Sequence, residues 1–178
     1  MNISKSYLTI FTNFILAIFG SFLAFQTDFL LFVPMIFAIG IPIINLEKPI
    51  EQKIGKTLII ILLSILIFFL SIIIAISFDT DKYLFPSLIY GLAGIMIIGI
   101  NGLLIKSINL NLKTILLTFL LSSISFPIWI LGIENMSFIN LKSIPFIREF
   151  GIMILWMTLT TIGIVCGIKK PVANNGYN

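Results

Sequence analysis

Residues 57–78 read TLIIILLSILIFFLSIIIAISF, twenty-two positions without a charge, where only Thr57, Ser64, Ser71, Ala75 and Ser77 interrupt the Ile, Leu and Phe. A helix on the surface of a soluble protein keeps a polar face opposite its apolar one. No such face can be drawn here. The length matches the roughly 20 apolar residues that cross a hydrocarbon core of about 30 Å. The stretch reads as a transmembrane helix at the edge of a bundle, with most of its surface against lipid.

Similar blocks lie on either side. The spans are Tyr7–Gln26, Phe29–Leu46, Thr57–Phe78, Leu84–Ile105, Thr114–Ile133 and Phe150–Ile168. Charges fall in the breaks between them: Asp28, then Glu47 to Lys56, Asp79 to Lys82, Lys106 with Lys113, Glu134 to Glu149, and finally Lys169 with Lys170. Only 10% of residues are charged, 59% are hydrophobic and the mean hydropathy is +1.18. A soluble domain carries about 25% charged residues, so this chain cannot coat a water-facing surface. The expected fold is all-α: a polytopic integral membrane protein with a bundle of six transmembrane helices. It forms a single domain over residues 1–170, with a short disordered cytoplasmic tail at 171–178.

Lysine and arginine favour the cytoplasmic side of a membrane. With the N-terminus inside, Lys5, Lys48, Lys53, Lys56, Lys106, Lys113, Lys169 and Lys170 are cytoplasmic, and Lys82, Lys142 and Arg148 are outside, eight against three. The bias keeps one phase through every loop, which places both termini in the cytoplasm. The first span is too long for a signal-peptide core of 7–15 residues and ends in Phe-Gln-Thr-Asp, without a small-residue cleavage site. Ten lysines to one arginine, with abundant Ile and Asn, point to an AT-rich bacterial genome and hence to the bacterial inner membrane.

Several spans carry a narrow face of small residues among bulky aliphatics. Asn13, Ala17 and Gly20 share one side of the first, Gly91 and Gly94 of the fourth, and Gly163 and Gly167 of the sixth. Small faces let helix backbones approach closely in lipid, so these seven residues are assigned to helix packing. The hydroxyls of Thr114, Thr118, Ser122 and Ser125 line one face of the fifth span, either for packing or as a polar path. Prolines at 34, 42 and 127 interrupt hydrogen bonding and single out the second and fifth helices as bent.

The outer ends of the fourth, fifth and sixth spans gather the candidate ligand-binding residues. Tyr90, Trp129 and Trp156 offer apolar walls with polar edges, the usual lining of a small-molecule pocket. Glu134 and Glu149 bracket an apolar loop that reads as a lid. Arg148, the one guanidinium, can hold a carboxylate or phosphate in bidentate fashion. An ionisable residue inside a span is the usual mark of a proton relay, and none is present. Without histidine there is no imidazole base or metal ligand, and the lone Cys166 cannot build a cysteine cluster. No catalytic residue, metal site or cofactor is therefore expected, nor nucleic-acid binding. Membrane lipids are the natural partners of Lys48, Lys53 and Lys56, and other membrane-protein subunits are possible partners.

In size, six spans, inward termini and outward lid, the chain is similar to the substrate-binding subunits of energy-coupling-factor vitamin importers. Its first helix departs from the alanine pattern with which those subunits dock, and no substrate signature matches. The resemblance implies a solute-handling protein, a transporter component or small channel with an outward-facing pocket and an unknown small-molecule ligand. The alternatives are a non-catalytic accessory subunit of a larger membrane complex, including an immunity-type protein, and a lipid-modifying membrane enzyme. A reporter active only in the cytoplasm should work after Lys53 and after Asn178 and fail within Asp79–Lys82 or Ser137–Ser143; activity at the last site would refute six spans.

Overall fold

The computed structural model describes residues 4–46, 49–77, 83–135 and 144–168, and all of their side chains except those of residues 50, 51 and 133–135. The proposed lid and the tail lie outside the described residues, in whole or in large part. Six helices follow in order: α1 (Lys5–Thr27), α2 (Phe32–Asn45), α3 (Ile50–Ser77), α4 (Leu84–Leu104), α5 (Leu112–Asn135) and α6 (Pro145–Val165). Five are long and apolar enough to cross a membrane; α2 is shorter.

Helix starts follow the prolines. Pro34 and Pro86 are the third residues of α2 and α4, and Pro145 is the first of α6. A missing N–H costs nothing in a first turn, but the ring would clash with a helix continued upstream. The second span was therefore read too long as helix. Phe29–Leu31 form a tight turn instead, with the Phe32 and Val33 amides donating to Phe29 O and Leu30 O at 3.2 Å. Pro42 and Pro127 do lie inside α2 and α5. The sixth helix likewise begins at Pro145 rather than Phe150, and ends three residues before Ile168.

The third helix needs the largest correction. Lys53 and Lys56, assigned to a loop, belong to its first two turns, and its 28 residues measure about 42 Å at 1.5 Å per residue. Lys53 Nζ donates to Ile43 O at 2.7 Å and Lys56 Nζ to Leu104 O at 2.6 Å. Both carbonyls lie in last turns, where a cation meets the negative end of a helix dipole. These two lysines fasten α3 to the ends of α2 and α4, a use that the lipid-headgroup reading missed.

Each helix packs against its sequence neighbours, and α6 closes on α1. Successive helices run antiparallel, so the start of α1 and the end of α6 share one end of the bundle. The α4–α5 connection docks there, with Asn109 N donating to Gly167 O at 2.8 Å. Among the described side chains of α3, Ile60, Ser64, Ile67, Phe68 and Ser71 are buried as a single stripe, flanked by the partly buried Ile61, Phe69 and Ile72. It packs between α2 and α4 within the ring rather than at an edge of the bundle.

The small faces lie at the helix contacts. A Cβ on Gly20 would come within 2.9 Å of Phe32 O, and one on Gly163 within 2.6 Å of Thr118 Cα. Asn13, Ala17, Gly91, Gly94 and Gly167 are buried as well. A side chain on Gly94 would collide with Ser122. Gly94→Leu should therefore lower the melting temperature in detergent, since overpacking costs about 1–3 kcal/mol. Leu66→Ala, at a position 55% exposed, should leave it nearly unchanged.

Candidate functional site: a trough on the sixth helix

Of the residues proposed for ligand binding, Tyr90 and Trp156 meet in the core and Trp129 lies apart from them. Trp156 points into the bundle, 1% exposed. Its ring centroid lies 5.8 Å from Tyr90 and 6.4 Å from Phe68, and its Nε1–H donates to Tyr90 O at 3.1 Å. Tyr90 in turn stacks on Phe126 at 5.8 Å. This aromatic knot joins α3, α4, α5 and α6 and is a packing element. The sequence reading placed Trp156 almost two turns inside its helix without the inward direction of its side chain.

Trp129 faces elsewhere. The edge of its six-membered ring lies directly on Gly151 of α6, where any side chain would collide with it. Beside it, α1 and α5 flank α6 and leave a trough of about 520 Å³ along the face of α6 opposite Trp156. Phe14 and Ile18 of α1 form one wall and Ile128, Trp129 and Gly132 of α5 the other, over a floor of Ile147, Gly151, Ile154, Leu155 and Thr158. A Cβ on Gly132 would meet nothing within 4 Å, so the missing side chain there is part of the void. Both glycines escaped notice as site residues, because a glycine in an apolar span reads equally as packing.

The trough occupies the half of the bundle away from the termini. The hydroxyl of Thr158 donates to Ile154 O of its own helix at 2.7 Å, so the lining presents almost no free polar group. The Trp129 indole N–H finds no acceptor among the described residues. At the far end, Phe146 packs edge-on against Phe22 and Phe25 at 6.0 Å, closing the seam between α1 and α6.

Arg148 and Glu149 lie on the first turns of α6, near that end. Their side chains are 60% and 49% exposed and meet loosely at 3.4 Å, a geometry worth little. Ile144 supplies no side-chain cap to the helix. The backbone of Glu134 lies in the last turn of α5, and its side chain falls outside the described set.

The hydroxyls of α5 form a packed seam. Ser122 Oγ and Thr160 Oγ1 are 2.8 Å apart, Thr118 donates to Thr114 O at 2.8 Å, and Ser122, Thr118, Ser125 and Thr160 are fully buried. Across the bundle, Asn13 Nδ2 donates to Thr161 Oγ1 at 3.0 Å, and Asn45 Nδ2 to Thr9 Oγ1 at 3.0 Å. Every one of these contacts joins two helices or closes on its own helix. Among the described residues no group of acidic, histidine or cysteine side chains has the arrangement of a metal site.

The two tryptophans should therefore separate experimentally. Trp156→Ala is expected to destabilise the detergent-solubilised protein by about 3 kcal/mol, the low end for this truncation, because packing rather than transfer from water is lost in an apolar solvent. Trp129→Ala should lower the melting temperature far less.

No protein-family model matches the chain, and no curated protein or solved structure does so either. The geometry of the trough carries the functional reading by itself.

Proposed function

We propose that this protein is a non-enzymatic, solute-handling component of the bacterial cytoplasmic membrane whose ligand lies in the trough on α6. In this reading the end that holds both termini faces the cytoplasm, as the distribution of basic residues supports. The trough then occupies the outer half of the bundle. The observation that carries the reading is the cavity itself. Its volume of about 520 Å³ falls within the roughly 300–1,000 Å³ of small-molecule sites, and Gly132 keeps it open by placing no side chain there, while Gly151 seats the Trp129 ring on α6.

A binding component fits better than a channel. Trp156, Ile97, Ile98, Met157 and Ile164 fill the interior between the helices, whereas a conduit needs a wet, polar lining. The void lies on the outside of the ring, and the exposed side chains of Phe14, Ile18 and Ile128 mark its rim.

Gly132→Phe tests the reading, because a Cβ there meets nothing within 4 Å and the new ring extends into the void. Wild type and variant, purified gently from the same membranes, are compared by native mass spectrometry. One small molecule should accompany the wild type in near-stoichiometric amount and be lost from the variant, with the melting temperature preserved. A second protein at fixed stoichiometry in both samples, with no small molecule, would replace this reading by that of an accessory subunit.

A further inference from the structure

We infer that the occupant of the trough is an anionic membrane lipid. It enters sideways from the bilayer, with an acyl chain along α6 and a charged headgroup held by Arg148. The inference rests on the ligand-binding reading above and supplies its chemical class.

Three observations converge on that class. The first is polarity. Among the described residues the lining is apolar, and its single hydroxyl, on Thr158, is already bonded to the helix backbone. A polar solute seated there would lose its hydrogen bonds to water and regain few of them. The second is length and access. From Ile147 to Thr158 the floor runs about 16 Å at 1.5 Å per residue, close to half of a hydrocarbon core of roughly 30 Å. That is the depth of one leaflet, reached by one acyl chain. The rim residues Phe14, Ile18 and Ile128 are exposed on the outside of the bundle, so a lipid enters without crossing water.

The third observation is charge. Arg148 stands between Ile147 and Gly151 in sequence and two turns above Leu155 on nearly the same side of α6, at the end of the trough where a headgroup would lie. Among the described residues its ion-pair partner is Glu149, exposed and 3.4 Å away. The guanidinium offers a donor fork that matches a phosphate diester. The first turn of α6 is not capped by a side chain, so the positive end of its dipole reinforces the same preference. The indole N–H of Trp129, without an acceptor among the described residues, adds one donor on the α5 wall.

The chain contains two tryptophans, one in the trough and one buried, which provides the experiment. Trp156→Phe leaves Trp129 as the only indole, and Trp129→Phe leaves Trp156. Each is reconstituted in phosphatidylcholine vesicles containing a small fraction of phosphatidylglycerol or phosphatidylcholine with brominated acyl chains, which quench indole fluorescence on contact. Trp129 should be quenched with about a fivefold preference for the anionic lipid, the size of one basic side chain's attraction near a membrane surface. Arg148→Gln should abolish that preference, and Gly132→Phe should reduce quenching by both lipids. Trp156 should show no preference. If Trp156→Phe fails to fold, the difference between wild type and Trp129→Phe reports Trp129 instead. Equal quenching of Trp129 by the two lipids would overturn the lipid-anion inference. The ligand-binding reading would then still stand if Gly132→Phe displaces some other molecule, and would fall if it displaces nothing.

Discussion

Inside a bilayer the lipid tails are as apolar as leucine, so burying one helix against another gains nothing from the hydrophobic effect. The bundle must be held by close van der Waals contact and by polar groups that find partners. The contacts between α1 and α2, α4 and α5, and α5 and α6 are all made through glycine or a small hydroxyl residue. At Gly20 and Gly163 the approach is to the neighbouring backbone itself. Dispersion falls off over fractions of an ångström, so these few positions hold those three helix pairs together.

Polar satisfaction imposes the second restriction. A free amide or carbonyl in hydrocarbon costs several kcal/mol, and helix ends expose four of each. At the end near the termini, lysines of α3 cover carbonyls of α2 and α4, and the α4–α5 connection pairs with residues just beyond α6. Buried amides and hydroxyls, such as Asn13 with Thr161, tie α6 to α1 and close the ring. The opposite half of α6 lacks such ties. There aromatic side chains take over, and Trp129 rests on Gly151 while Gly132 faces empty space. The same glycine device that joins helices elsewhere leaves a void wherever the partner helix provides nothing to fill it.

The sixth helix illustrates how two roles divide over one surface. Trp156, Met157, Thr160, Gly163 and Ile164 turn inward and are buried. Ile147, Ile154, Leu155 and Thr158 turn outward and form the floor of the trough. A spacing of three or four residues keeps each set on its own face. The inward face packs the fold together, and the outward face borders the void.

The sequence by itself determined the apolar, membrane-compatible character of the helices, their number and the small faces on which α1, α4 and α6 pack. Those properties depend on local length, charge and periodicity, and Thr57–Phe78 alone suffices for the first. Even the packing glycines were legible, because a small residue recurring every three or four positions among Ile and Leu has few other uses. Helix starts were less so: Lys53 and Lys56 read as loop because their carbonyl partners belong to other helices. Only the tertiary structure decided which face meets which. Asn13 and Thr161 lie 148 residues apart, and nothing local to either predicts that α6 closes on α1. That closure turned Trp156 into the core, left Trp129 outside it, and separated two tryptophans that a linear reading had placed in one pocket. The physical reason is that a helix's periodicity fixes the direction of a side chain relative to its own axis, whereas a cavity depends on what the neighbouring helices fail to fill.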